Sequence, residues 1–253
     1  MFGSITTADP AASRPEPPVL RKFGLIGGTS WRSTVSYYAT INEAINRRHG
    51  DNTNPRINLA SLDQSLIHAA QSKDDWEAVL DRFEAAAIEL QSTGVEGIAL
   101  CANTPHKVWD SIQSELRVPI VHIADGVARE CKRQGWEQLG LLGTRFTMEE
   151  DFLRGRLRER HGLDTAVPPE PARAEIHRCI LEKLSMGAFD DPSRQLLLEQ
   201  IRRLADAGAE AVVLGCTEFP LLLEGLDAGL PLVDSLACHC AEIVRFIAGP
   251  AAD

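Results

Sequence analysis

No apolar run in the 253 residues approaches the length needed to cross a bilayer. The amino terminus also lacks the basic-then-apolar pattern of a secretory signal. A cytoplasmic protein with no membrane partner is therefore expected. Positive charge is scarce: 26 Lys and Arg face 36 Asp and Glu, a net charge of −10, which argues against a nucleic-acid surface. The six cysteines, at 101, 131, 179, 216, 238 and 240, are too sparse and irregular for a disulfide framework. Cys238-His239-Cys240 has no second Cys/His pair near it, and adjacent residues on a helix point in different directions, so no metal is expected. Neither GxGxxG nor a GxxxxGK[ST] loop is present, and nothing marks a pyridoxal lysine, so no cofactor is expected either. What remains, 44% hydrophobic and 25% charged, is an ordinary globular composition for one large domain or two small ones.

The chain is organised around Gly208-Ala209-Glu210-Ala211-Val212-Val213-Leu214-Gly215-Cys216-Thr217-Glu218. Gly208 stops a helical segment. Residues 211–214 suit a strand buried on both faces. Ligands of open parallel sheets bind beyond the carboxyl ends of strands. Cys216, flanked by the Thr217 hydroxyl and the Glu218 carboxylate, is thus a candidate acid–base group or nucleophile. A cysteine alone in such a place is more often a small core residue. This one belongs to a repeat. Residues 90–102 (LQSTGVEGIALCA) match residues 204–216 (LADAGAEAVVLGC) at constant offset. Residues 24–29 echo 140–144, and 118–121 echo 230–233. Three matches in the same order argue for a duplicated βα unit. The expected fold is α/β, with two pseudo-symmetric domains, mainly parallel central sheets and an active site in the cleft between them. The boundaries expected are a disordered leader over 1–20, a first domain over 21–117 plus 229–249, and a second over 118–228. In this register Cys216 falls opposite Ala102, while Cys101 falls opposite Gly215. Strand side chains alternate faces, so Cys101 is not the mirror image of Cys216.

Read in order, residues 22–26 form the first strand. Gly27-Gly28-Thr29-Ser30 is a tight turn that lets a ligand approach the backbone, and Ser33 or Thr34 is expected to cap the next helix. That helix buries Tyr37, Tyr38, Ile41 and Ile45 on one face. Asp63, Gln64 and Ser65 follow the second strand, 56–62, as cleft residues or as a helix cap. After the strand 97–100, Asn103 and Thr104 offer an amide and a hydroxyl suited to a carboxylate, or a capping turn. His106 is a base or, more commonly for a histidine at a helix start, structural. Further strands are expected at 119–123, 139–142 and 230–233. Met148 begins one long charged helix ending near Gly162. His177 and Lys183 are either cleft visitors or ordinary helix-face residues.

The motifs GLIGGTSW, ALCANTPHK, VHIAD, LLGTRFTM and VLGCTEFPLL resemble the aspartate/glutamate racemase superfamily, and especially its broad-specificity bacterial amino-acid racemase branch. The resemblance implies two α/β halves and cofactor-independent chemistry in which a cysteine from each half works on opposite faces of the substrate Cα. Carried over by position, it implies that Cys216 is the second catalytic cysteine. Asn103, Thr104, Thr144, Thr147 and Thr217 then hold the α-carboxylate, Gly28 and Thr29 form the first turn, and Glu218 is the acidic neighbour. Gln64, Arg56 and Lys183 are candidates for reading the substrate side chain. The first catalytic cysteine falls on Ala102, which can neither take nor give a proton. The reading favoured is an amino-acid racemase or epimerase acting on a small amino acid or related carboxylate, one-sided because of Ala102, with a homodimer as its assembly. Alternatives are a single-cysteine decarboxylase or isomerase of the same superfamily, a non-catalytic amino-acid binding protein, and an Ala102 introduced to trap a ligand.

Overall fold

The computed structural model describes residues 19–249, so all but the last two positions of the expected leader lie outside the described residues. The first half runs β1 (Phe23–Gly27), α1 (Trp31–His49), β2 (Ile57–Ser61), α2 (Gln64–Ser72), α3 (Trp76–Ser92), β3 (Gly97–Leu100), a 3-10 turn (Thr104–Val108), α4 (Trp109–Ser114) and β4 (Ile120–Val121). After α5 (Ile123–Gln134) come β5 (Gln138–Gly143), α6 (Arg145–Glu149), α7 (Asp151–His161), β6 (Asp164–Ala166), α8 (Ala172–Glu182), α9 (Asp191–Asp206), β7 (Ala211–Gly215), α10 (Phe219–Leu222), β8 (Leu232–Asp234) and α11 (Ser235–Ala248). The strands form two parallel four-stranded sheets of matching order, β2-β1-β3-β4 and β6-β5-β7-β8. The duplication seen in the sequence is therefore a duplication of topology.

Helices cover both faces of each sheet, which is why β1, β3 and β7 are apolar at nearly every position. In β3, Ile98 and Leu100 face the α3 side, while Ala99 and then Cys101 face α1 and α11. In β7, Val212, Leu214 and then Cys216 share the face toward α8 and α9. Position 102 continues the Ile98–Leu100 alternation, so by strand periodicity it is the counterpart of Cys216.

Several local expectations are corrected. The cap of α1 is Ser30, whose hydroxyl accepts from Ser33 N–H. Thr34 instead ties the turn, accepting from Gly28 N–H at 2.9 Å and donating to Ser30 O at 3.0 Å. Tyr37, Ile41 and Ile45 are buried four residues apart, each contributing about 1.5–3 kcal/mol of burial. Tyr38 lies one residue round the helix and is half exposed. The charged helix expected from Met148 is broken at Glu150, whose backbone is extended between α6 and α7. The short edge strand β6 carries too little apolar pattern to be read from sequence.

The sheets also cross the domain boundaries expected from the sequence. β4 pairs with β3 and β8 with β7, so residues 120–121 stand in the first sheet and 232–234 in the second. Each repeat closes with its fourth strand, and the helix after that strand passes into the seam. There α5 packs on α11 and α7, and α11 on α1. The two seam helices touch at Gly126, where any Cβ would collide with the Cys238 carbonyl.

Candidate active site

In the order 2-1-3-4, the chain leaves β1 toward one side and β3 lies on the other, so the loops after β1 and β3 diverge and leave a crevice. The second sheet does the same between β5 and β7. The two crevices face each other across a cavity of about 550 Å³. The first half lines it with Thr29, Ser30, Ala102, Asn103 and Thr104, and with Gln64, His68 and Gln71 from α2. The second half supplies Thr144, Arg145, Phe146, Cys216, Thr217 and Glu218, with His177 and Ile180 from α8.

Cys216 is the first residue past β7 and is buried. Its thiol donates to Glu218 Oε2 at 3.1 Å. The Thr217 hydroxyl donates to the same oxygen at 3.0 Å, and the Ser30 hydroxyl donates to Oε1 at 2.9 Å from the opposite half. Burial, followed by the Glu218 carboxylate, pushes the Cys216 thiol well above its ordinary range. At rest, then, Cys216 is a protonated donor with an acceptor carboxylate already in hydrogen-bond contact. Glu218 is itself buried, and among the described residues no Lys or Arg forms a salt bridge with it. A buried carboxylate held only by neutral donors favours a cationic ligand group beside it.

Beside the thiol lies a chain of hydroxyls spanning the cleft. Thr104 and Thr144 are 3.2 Å apart, and Thr144 and Thr147 are 3.1 Å apart. Thr144 also caps α6, accepting from Thr147 N–H. Asn103 Nδ2 donates to Ser235 Oγ at 3.0 Å, and Ser235 Oγ donates to Leu214 O at 2.7 Å. The serine proton is thereby committed, which fixes the amide with its nitrogen toward Ser235. Asn103 Oδ1 is left buried without a partner, as is Gln71 Nε2 on the α2 wall. Both atoms belong to residues of the cavity wall but lie beneath its surface.

Not every sequence candidate reaches the cavity. Gly28 has φ of +90° and packs so closely on the Leu62 backbone that a Cβ would clash; its N–H is taken by Thr34. It shapes the turn and offers no free donor. Thr147 is fully buried and acts through Thr144. Lys183 pairs with Asp190 at 2.8 Å, and neither it nor Arg56 lines the cavity. Cys101 is buried in the α1/α11 core, where desolvation raises its thiol far above the usual range. Ser30, His68 and Gln71 were missed. Ser30 read only as part of a turn, and the α2 face at 64, 68 and 71 shows the i, i+4, i+7 spacing of one helix face.

His106 lies behind the site. Its Nδ1–H donates to Ala102 O at 2.9 Å and Asn103 O at 3.2 Å, and its Nε2 accepts from Ile123 N–H at 3.2 Å. His122 stacks edge-on at 4.5 Å and His239 at 5.6 Å, with His239 Nδ1 accepting from Tyr37 OH at 2.8 Å. Burial lowers His106 to about 3 and His239 to about 4, and holds His122 well below its ordinary value. In the unfolded chain these groups bind protons near pH 6.5. Their neutral-state stabilisation is therefore complete above about pH 6.5 and is lost as pH falls toward 4, with a slope near 1.4 kcal/mol per pH unit for each histidine. Melting curves between pH 7 and 5 should show this, and His239→Gln should flatten the slope. An unchanged slope in that variant would remove the histidine seam from the account.

The family described as Asp/Glu/Hydantoin racemase matches residues 26–243. The broad-specificity amino-acid racemase RacX of Bacillus subtilis is 23% identical over 87% of this chain and 96% of its own length. A candidate Asp/Glu racemase from Yersinia pestis superposes with TM-score 0.83 at 39% identity, over 90% of this chain and 99% of that one. An aspartate racemase homologue from Pyrococcus horikoshii does so with TM-score 0.74 at 33% identity, over 89% and 98%.

Proposed function

The chain belongs to the Asp/Glu/Hydantoin racemase family, and on that footing we propose that it is a cofactor-independent amino-acid racemase or epimerase in which Cys216 transfers the α-proton. The observation that carries the reading is the Cys216 thiol at the end of β7, bonded to the buried Glu218 carboxylate inside the cavity between the two sheets. As an acid, the thiol is already protonated. As a base it first yields its proton to Glu218, 3.1 Å away.

The other groups suit an amino acid. The Thr104, Thr144 and Thr217 hydroxyls and the backbone around Thr29 surround a place for the α-carboxylate, where donors stabilise the negative charge that develops when the α-proton leaves. The α-ammonium meets the Glu218 carboxylate, which no Lys or Arg among the described residues pairs.

The test is proton NMR in D2O with a panel of L- and D-amino acids, alongside chiral analysis, on protein dialysed against chelator and given no added cofactor. Exchange of Cα–H with inversion is expected. Activity that appears only after pyridoxal phosphate or a metal is restored would overturn cofactor independence. Decarboxylation of substituted malonates with no Cα–H exchange from any amino acid would favour the single-cysteine decarboxylase.

A further inference from the structure

We infer that His68 of α2 is the acid–base group on the substrate face that Ala102 leaves bare, opposite Cys216. The inference rests on the racemase reading above. Inverting a carbon centre without turning the substrate requires a proton to leave one face and another to arrive on the opposite face. Cys216 serves the second wall. On the first wall, position 102 carries only a methyl group. Cys101 is turned into the core, and both nitrogens of His106 are bonded to backbone. Among the described residues that line the cavity from the first half, His68 is the one ionisable side chain.

Its setting suits the task. His68 is half-buried on the α2 face that also presents Gln64 and Gln71 to the cavity. The Thr29 backbone and the Glu218 carboxylate both act on its ring. A neutral imidazole carries one N–H and one lone pair, so at the cavity wall it can both give and take a proton. Burial lowers its proton affinity, while the Thr29 carbonyl and the Glu218 charge oppose the shift without reversing it, so the resting imidazole is neutral. The cavity's other histidine, His177, sits on α8 in the Cys216 half, and its Nδ1 accepts from Arg145 N–H at 3.3 Å.

In one direction the free imidazole nitrogen forms an N–H bond with the α-proton. The C–H electron pair stays on Cα and spreads into the carboxylate. The S–H bond of Cys216 breaks as its proton joins the opposite face, and sulfur keeps the pair. Imidazolium and thiolate result, and the proton returns to sulfur through Glu218 or solvent. The reverse direction starts from imidazolium and thiolate. The exchange expected from sequence to be one-sided thus becomes two-sided, with unlike groups on the two faces.

The test is initial Cα–H exchange in D2O from each enantiomer of the amino acid the protein inverts fastest, in His68→Gln and Cys216→Ser. General acid–base groups typically contribute 10²–10⁴-fold, so His68→Gln should lose exchange from one enantiomer by about 100-fold or more and keep the other within about threefold. Cys216→Ser should show the reverse preference. In His68→Gly, added imidazole should restore the lost exchange, which a structural role would not permit. Equal loss from both enantiomers, no loss from either, or loss of the same enantiomer in both variants would overturn the assignment. Absence of exchange from the unaltered protein across the amino-acid panel would fell the racemase reading and this inference with it.

Discussion

Replacing Cys216 by serine is expected to lower inversion in both directions by about 10³-fold or more, equivalent to roughly 4 kcal/mol of barrier. The substitution removes little else. Serine is close to cysteine in size, and its hydroxyl can still donate to Glu218 Oε2, so the buried hydrogen bond at 3.1 Å has a successor. What disappears is the acidity. A hydroxyl yields its proton to a carboxylate far less readily than a thiol, so the base form needed to take an α-proton is not populated. The melting temperature of the variant should stay close to that of the unaltered protein, because no buried partner is left unsatisfied. Inversion measured by chiral chromatography should fall, whereas exchange from the enantiomer facing His68 should persist. A loss of inversion smaller than about tenfold, or roughly 1.4 kcal/mol, would remove Cys216 from the reaction.

The fold and the site were legible to different depths. The repeat announced the duplicated sheet because strand ends and helix stops recur at a constant offset, and the topology follows those marks with the same order in both sheets. Strand alternation separated Cys101 from Ala102, and the core clusters assign Cys101 to the α1/α11 side. Sequence could not show where each repeat hands its fourth strand over. Ile120–Val121 and Leu232–Asp234 are too short to declare their sheet, and pairing alone decides it. Nor could it show Ser30 reaching Glu218 across the cleft, a contact between residues 188 positions apart. Gln71 was hidden for another reason. A glutamine on a short amphipathic helix reads as solvated surface until the facing half covers it.

Replacing Ala102 by cysteine is expected to raise inversion by about tenfold or more, less than the roughly 10²–10⁴-fold typical of a positioned acid–base group because His68 already serves that face. Position 102 continues the face of β3 that carries Ile98 and Leu100, as Cys216 continues the face of β7 that carries Val212 and Leu214. A thiol there stands across the cavity from Cys216. The two thiols would not be equivalent. Glu218 lies two residues beyond Cys216 and accepts its proton, whereas Thr104 lies two residues beyond Ala102 and is bonded to Thr144 at 3.2 Å. The new thiol therefore lacks a carboxylate partner and should donate a proton more readily than it abstracts one. This imbalance cannot appear in the relative kcat/KM of the two directions. Two enantiomers have equal free energy, so any gain in transition-state stabilisation raises both directions by the same factor. It should appear instead as unequal saturation behaviour and unequal exchange from the two enantiomers. The variant should also recover inversion in a His68→Gln background, because one thiol then does what the imidazole did. An Ala102→Cys protein that folds normally, yet leaves inversion unchanged in both backgrounds, would show that the first wall of the cavity does not deliver a proton to the substrate at that position.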